Sequence, residues 1–295
     1  MHNHFFSKNT TGSFERSFGR GFIENFKKTA PDRYKAVEAL PDPIKRGELM
    51  IKNMKAHGVD QVLPMAFAFD VDGAFQVHHA FPKSFPGVIP FLNPELHTDP
   101  GVLAEWKKRG AVGVKLYPGT WKNTQVSDSS LGQYFKAIRE HELVPVFHFG
   151  VVKGASDDNW PISPMELRPW FANGALSDLP LVVAHFGAGY LREVLLMAYA
   201  NKNLYVDTSG SNDWITWSPF KDLTQVFEKT ISALGASRIL FGTDSNIEMI
   251  RDDVVVRQLG ILQDLIAKKV ITEKDRNLIL ENNTRELFKL QPVGL

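Results

Sequence analysis

Seven short apolar runs recur along the chain, and a polar or glycine-rich turn follows each of them. Apolar residues are continuous within each run rather than alternating, which is typical of strands covered on both faces of a parallel sheet. Four runs contain a proline, which normally weakens a strand prediction, but each proline lies near a strand end or in a run too short for a helix. The runs span residues 61–65, 87–92, 111–116, 143–147, 179–184, 204–206 and 238–242.

Helix-like stretches separate these runs, and strand followed by helix predicts a parallel sheet with crossover helices. An eighth strand at residues 2–6 would complete the set, and 295 residues suit a (β/α)8 TIM barrel, whose typical length is about 250 residues. The doubly wound alternative lacks its glycine fingerprint after the first strand. We therefore predict one α/β domain over residues 1–295. The predicted helices span 42–57, 101–109, 130–141, 190–200, 223–234, 253–269 and 273–290.

Composition narrows the chemistry that such a barrel can carry. The chain has no cysteine, which excludes disulfides, thiolate metal sites and cysteine nucleophiles. Lysine plus arginine total 34 and aspartate plus glutamate total 33, so a net charge of +1 gives no reason to expect nucleic acid or an anionic membrane as a partner. The N-terminus has no apolar stretch of signal-peptide length. The cytoplasm is the expected location.

Four strand ends carry side chains that suit a metal ion. His2 and His4 are two residues apart and would point to the same face of a strand. His148, His185 and Asp244 each end a predicted strand, and strand ends converge at one rim of a barrel. Imidazoles with one carboxylate suit a divalent ion, with zinc first and manganese second, and a position left for water. The alternative for each histidine alone is a hydrogen-bonded core residue.

The pattern resembles the amidohydrolase superfamily, in particular the branch that includes amino-carboxymuconate-semialdehyde decarboxylase. The resemblance covers nearly the whole chain and depends on the motifs His2-Asn3-His4, Gly242-Thr243-Asp244 and 282–288, with His148 and His185. It implies that His2, His4, His148 and Asp244 ligate one metal ion. It also implies that His185 activates the metal-bound water and that Asp244 shares its proton. Members usually carry more residues before the first histidine pair, so a short first strand and partial metal occupancy are expected.

Lys115, in the predicted fourth strand, has two interpretations. Binuclear members of the superfamily carboxylate a lysine there, but the decarboxylase-like branch generally does not, so we predict a single metal ion and a substrate-anion contact for Lys115. A structural lysine paired with a carboxylate is the alternative. Tyr117, Trp214 and Asn246 lie just beyond predicted strands and are predicted to contact substrate. For the aromatic loop that contains Trp214, packing of the loop itself is favoured over a substrate wall, because aromatic residues dominate ordinary packing contacts too.

Hydrolysis of an amide, ester or lactone of a small organic substrate is the leading predicted function. Non-oxidative decarboxylation of an aromatic or unsaturated acid is the closest alternative, since it uses the same residues, and a barrel that has lost its metal and only binds a ligand is the second. A carboxylate-rich substrate needs cations beyond the metal, and the absence of an evident strand-end arginine favours hydrolysis. A small molecule is the expected partner, with no nucleic acid and no membrane. Assembly into a homodimer is left open.

Overall fold

The computed structural model describes residues 2–10, 20–150, 162–245 and 250–291. Eight strands form one parallel sheet in which each strand pairs with the one before it in the chain, as in a (β/α)8 TIM barrel. Every predicted strand is confirmed, including the one at the N-terminus. The strands are β1 (His2–Phe5), β2 (Leu63–Ala66), β3 (Ile89–Leu92), β4 (Gly113–Leu116), β5 (Val144–Phe147), β6 (Leu181–Val183), β7 (Leu204–Asp207) and β8 (Ile239–Leu240).

The segment beyond β8 pairs with β1 and brings the two ends of the sheet together. Asn3 and Ser245 form a parallel bridge, and the His4 amide donates to the Ser245 carbonyl at 2.7 Å. The Asp244 amide donates to the His2 carbonyl at 3.1 Å. These bonds fix the backbone of Asp244 beside both histidines of β1.

Helices separate the strands and pack around the sheet. Of the predicted helices, 223–234 has the observed bounds, and most others differ by one or two residues at an end. The helices are α1 (Arg20–Thr29), α2 (Pro31–Glu38), α3 (Pro43–Ala56), α4 (Val71–Ala80), α5 (Val102–Lys108), α6 (Gly132–Glu140), α7 (Arg168–Ala172), α8 (Leu191–Ala200), α9 (Leu223–Leu234), α10 (Asp252–Ala267), α11 (Glu273–Asn277) and α12 (Asn283–Leu287).

Two parts of the helix prediction differ from the structure. The stretch 273–290 is not one helix: the capping box of Thr272 and Asp275 starts α11, a π-helical turn at Leu278–Asn282 follows, and α12 ends at Leu287. Helices α2, α4 and α7 were not predicted; the sequence of α4, for example, contains a glycine and two valines, which favour helix weakly.

The barrel interior is apolar towards the amino ends of the strands and polar towards their carboxyl ends. Side chains from five strands fill the interior, and Phe288, just beyond α12, packs among them. β4 places Gly113 here because a Cβ at that position would lie 2.5 Å from the Val144 carbonyl oxygen. The next inward position of β4 is Lys115, which pairs with Val146 and Phe91 and is fully buried. The polar layer therefore begins at the level of Lys115, towards the carboxyl ends of the strands.

No helix within the described ranges combines the length and apolar character needed to cross a lipid bilayer.

Candidate active site

Strand β1 presents its two histidines to the carboxyl end of the barrel. His2 is buried, its Nδ1 lies 2.8 Å from Asp207 Oδ2, and its Nε2 lies 3.6 Å from Asp244 Oδ1. His4 Nε2 lies 3.0 Å from the same oxygen of Asp244. The His4 ring stacks on Phe67, with 5.7 Å between ring centroids, and its Nδ1 is buried without a hydrogen-bond partner. Both Nε2 atoms of β1 thus face one carboxylate oxygen.

Asp244 follows β8 on a left-handed backbone, with φ of +55°. Its Oδ1 is buried and lacks hydrogen-bond geometry to the imidazole nitrogens that surround it. Burial favours the neutral acid, but His185, His4 and His2 outweigh it and hold the pKa of Asp244 well below its usual range. The carboxylate is therefore ionised at neutral pH, with an oxygen free to bind a cation.

His148 and His185 form a second pair of imidazoles beside the first. His185 Nε2 lies 3.1 Å from His148 Nδ1, and the other nitrogen of His148 is buried without a hydrogen-bond partner. Tyr117 stacks on His148 at 4.3 Å between ring centroids. Burial lowers the pKa of both histidines, so both are neutral at physiological pH.

The backbone at His185 departs from the strand predicted to end there. β6 ends at Val183, and His185 and Phe186 then adopt left-handed conformations with φ of +57° and +54°. The His185 amide donates to Asp207 Oδ1 at 2.9 Å, which anchors this turn to β7. Gly210 gives the imidazole room, because a Cβ there would lie 3.0 Å from His185 Nδ1.

Asp207 and Ser209 belong to the site. The position of Ser209 just beyond the seventh apolar run predicts a pocket-lining residue, whereas Asp207 was not predicted as a site residue. Asp207 ends β7 and is buried, and its carboxylate accepts from the amides of His185 and Ser209 as well as from His2. Ser209 Oγ donates to Asp207 Oδ1 and lies 2.8 Å from His185 Nδ1 and 3.0 Å from His2 Nδ1. The available signal was a carboxylate directly after an apolar run, the same signal that identified Asp244.

Lys115 is the cation of the site. Its Nζ lies 3.5 Å from His2 Nε2, and burial lowers its pKa to about 8 although Asp207 and Asp244 act in the opposite direction. The same burial, together with Lys115, lowers the pKa of His2 to about 3. Asp207 stays ionised because the hydrogen bond from His2 and the nearby positive charge outweigh burial and keep its pKa far below normal.

Of the two other predicted substrate contacts, Trp214 lies within the described residues and Asn246 does not. Trp214 is buried in the apolar core, and its indole nitrogen donates to Asn212 Oδ1 at 3.0 Å. The contacts described for it are those of loop packing. Asn246 lies outside the described residues.

The combination of these side chains can hold a metal ion. One nitrogen of His2, one nitrogen of His185 and one oxygen of Asp244 lie within 4.8 Å of one another. His4 Nε2 adjoins this group through Asp244, and His148 adjoins it through His185. The buried, unpartnered atoms of His148 and Asp244 are the kind of atoms that a bound ion satisfies. The donor set of imidazole and carboxylate fits zinc or manganese.

Comparison with protein families identifies the group to which this barrel belongs. A family model described as amidohydrolase matches residues 55–290. The chain belongs to this amidohydrolase family. The match includes His148, His185 and Asp244, whereas the histidines of β1 precede it. Among curated proteins, none matches this sequence.

Solved structures with the same fold include both decarboxylases and a candidate hydrolase. A 2,6-dihydroxybenzoate decarboxylase in complex with 2,6-dihydroxybenzoate is 20% identical, with 97% of each chain covered and a TM-score of 0.65. A candidate 2-pyrone-4,6-dicarboxylic acid hydrolase from Pseudomonas putida is 16% identical. Its alignment covers 99% of this chain and 97% of the hydrolase chain, with a TM-score of 0.65. A 5-carboxyvanillate decarboxylase from Novosphingobium aromaticivorans with bound manganese is 15% identical, with 98% and 96% covered and a TM-score of 0.63. At these identities the likeness shows the fold.

Proposed function

We propose that this protein is a metal-dependent hydrolase that cleaves an amide, ester or lactone of a small organic anion. The observation that carries the proposal is the group of buried His2, buried His185 and partly exposed Asp244, whose donor atoms lie within 4.8 Å of one another at the carboxyl end of the barrel. Catalytic groups of TIM barrels belong at this end. Membership of the amidohydrolase family supports the same assignment.

The proposed ligands are His2, His4, His148 and Asp244, with zinc as the first candidate and manganese as the second. In support, Asp244 Oδ1 faces the Nε2 atoms of both β1 histidines, and His148 Nε2 is buried without a partner. When bound, a divalent cation supplies Lewis acidity that polarises a carbonyl group and lowers the pKa of a coordinated water.

His185 and Asp244 are the proposed catalytic residues that move protons. His185 is neutral at physiological pH and so can accept a proton from the attacking water and return it to the leaving group. Asp244 is ionised and adjoins the same space, so it can share that proton. Both groups start the cycle as proton acceptors, as water activation requires.

Lys115 and Tyr117 are the proposed substrate contacts at the site. The ammonium group of Lys115 is buried beside the metal-ligand candidates, where an anionic group of the substrate would pair with it. Tyr117 adjoins a wall of aromatic rings: its ring centroid lies 6.5 Å from that of Phe91, which stacks on Phe67 at 4.0 Å. A flat substrate would lie against this wall.

Non-oxidative decarboxylation is the second candidate, and Lys115 is the observation that favours it. A buried ammonium group beside a metal could hold a substrate carboxylate, and two of the solved relatives are named as decarboxylases of aromatic acids. Hydrolysis remains first because, within the described residues, no arginine joins Lys115 among the contacts of the cluster.

A screen of the protein loaded with zinc or manganese separates these functions. The substrates are lactones, anilides and aromatic carboxylic acids, and released carbon dioxide is measured alongside hydrolysis. We expect hydrolysis without carbon dioxide, and His185→Asn should keep the metal ion while kcat falls by orders of magnitude. Carbon dioxide release would select decarboxylation. A metal content near zero that added metal does not restore would favour a barrel that only binds a ligand.

A further inference from the structure

The hydrogen bonds around Asp207 determine which nitrogen of each histidine carries its proton. Asp207 Oδ1 accepts hydrogen bonds from the backbone amides of His185 and Ser209, and a carboxylate held in this way only accepts. Its Oδ2 lies 2.8 Å from His2 Nδ1, so that nitrogen must carry a proton. A neutral imidazole has one N–H, and His2 Nε2 is therefore a bare lone pair directed towards Asp244 and Lys115.

The hydrogen bonds of Ser209 determine the tautomer of His185 in the same way. The Ser209 hydroxyl has one hydrogen, and it is donated to Asp207 Oδ1, because a carboxylate oxygen cannot donate in return. The contact of 2.8 Å between Ser209 Oγ and His185 Nδ1 then needs a proton from the imidazole. His185 carries its proton on Nδ1, and its Nε2 is an acceptor.

The contact between His185 and His148 determines the tautomer of His148. His185 Nε2 lies 3.1 Å from His148 Nδ1, and since the former accepts, the latter must donate. The remaining nitrogen, His148 Nε2, is then unprotonated, and it is the atom that is buried without any hydrogen-bond partner. The direction of donation thus runs from His148 through His185 and Ser209 to Asp207.

We propose that Asp207 is a positioning residue that sets the tautomers of three histidines, His2 directly and His185 and His148 in series through Ser209. The result is that the Nε2 atoms of His2, His148 and His185 are all unprotonated before any cation arrives. Carboxylate partners of this kind orient metal-binding imidazoles and raise their basicity. The inference rests on the proposed function in one respect, which is that these histidines serve a metal site.

The direct test is the tautomeric state of the metal-free protein, measured by two-dimensional NMR of ¹⁵N-labelled histidine. Loss of a signal in each single histidine variant assigns His2, His148 and His185. All three should show protonated Nδ1 and unprotonated Nε2. Protonated Nε2 on His2 or His185 in the wild type would overturn the proposal, whatever the activity of the enzyme.

Two variants separate the direct effect of Asp207 on His2 from its effect on His185 and His148 through Ser209. Ser209→Ala should release the tautomers of His185 and His148 and leave that of His2 unchanged, whereas Asp207→Asn should alter all three. Thr230→Val removes a buried hydroxyl group that donates to the Val226 carbonyl within α9, and it controls for a general packing defect. If Ser209→Ala and Asp207→Asn both left every tautomer as in the wild type, Asp207 would have only a structural role.

Metal affinity gives a second readout that does not depend on turnover. We expect competition with a chromophoric chelator to show a 10- to 100-fold weaker zinc affinity for Asp207→Asn, a smaller loss for Ser209→Ala and none for Thr230→Val. Wild-type affinity in Asp207→Asn would contradict the proposal. Failure of the proposed hydrolysis alone would leave the tautomers and the affinities as predicted, so the two claims fail separately.

Discussion

At the scale of single residues, the site depends on backbone conformations that side chains rarely adopt. His185 and Asp244 both have positive φ, and each places its side chain against the histidines of β1 or β5. The sequence shows that a histidine or aspartate ends an apolar run, but it does not show that the chain turns left-handed there. Such conformations cost of order 1–3 kcal/mol and tend to occur at functional sites.

Gly210→Ala tests the space that His185 requires. The new Cβ would lie 3.0 Å from His185 Nδ1, and φ of +92° adds backbone strain. We expect a loss of about 1–2 kcal/mol in the free energy of unfolding and a fall in kcat of at least tenfold, measured by denaturant titration and steady-state kinetics.

Gly174→Ala is the matched control for that substitution. Its φ of +80° imposes a similar strain, yet the only atom within 4 Å of the new Cβ would be Ser177 Oγ at 3.8 Å, so the substitution displaces no histidine. It should lose similar stability and keep its activity. Equal kcat in the two variants would show that the position of the His185 ring does not limit turnover.

At the scale of elements, helix α10 fixes the strand ends that carry the two carboxylates. Gln258 is fully buried on α10, and its Nε2 donates to the carbonyls of Thr208 at 2.8 Å and Gly242 at 3.2 Å. Its Oε1 accepts from the Thr208 hydroxyl group at 2.5 Å. One side chain thereby joins the residue after Asp207 to the segment that leads to Asp244.

Gln258→Leu should therefore affect both stability and activity. The substitution leaves these buried backbone and hydroxyl groups without a partner, which costs about 1–3 kcal/mol for each unsatisfied group. We expect a lower midpoint of urea unfolding together with weaker metal binding.

Asn283→Leu is the comparison at the opposite end of β8. Asn283 Nδ2 donates to the carbonyls of Ala236 and Ile239, each at 2.8 Å, on the side of the barrel away from the histidines. This variant should lose similar stability and retain wild-type metal affinity in the folded protein. Equal losses of metal affinity in Gln258→Leu and Asn283→Leu would contradict this role of Gln258.

The sequence predicts the strands better than the contacts between them. All eight strands and the convergence of His2, His4, His148, His185 and Asp244 at one rim follow from apolar runs and their polar ends. Asp207 was missed because the run before it is only three residues long and no metal-binding pattern includes it. The tautomers could not be predicted, since they depend on Ser209, which approaches His185 only in three dimensions.

At the scale of the whole molecule, we expect metal binding and folding to be coupled. The candidate ligands come from β1 and from the segments that follow β5 and β8, and β1 is held against the segment after β8, so the site exists only when the barrel has closed. An ion that binds the folded state alone stabilises it by RT ln(1 + [L]/Kd), about 2.7 kcal/mol at a concentration 100-fold above Kd. Metal should therefore act as a stabiliser of the entire fold.

Thermal unfolding measures this coupling without a known substrate. Added zinc or manganese should raise the Tm of metal-free protein by several degrees, and a chelator should reverse the shift. Asp244→Ala should fold and show no metal-dependent shift, because it removes the carboxylate that faces His2 and His4. An equal shift in Asp244→Ala would mean that the ion binds elsewhere.

Side chains distant in the sequence meet at the carboxyl end of the barrel, where we propose that they bind one divalent ion. Anomalous diffraction from crystals equilibrated with zinc would locate that ion. We predict a single strong peak per chain, with His2 Nε2 and an oxygen of Asp244 each at about 2.0–2.2 Å. A peak outside the group of His2, His4, His148, His185 and Asp244, or no peak there at saturating zinc, would contradict the account.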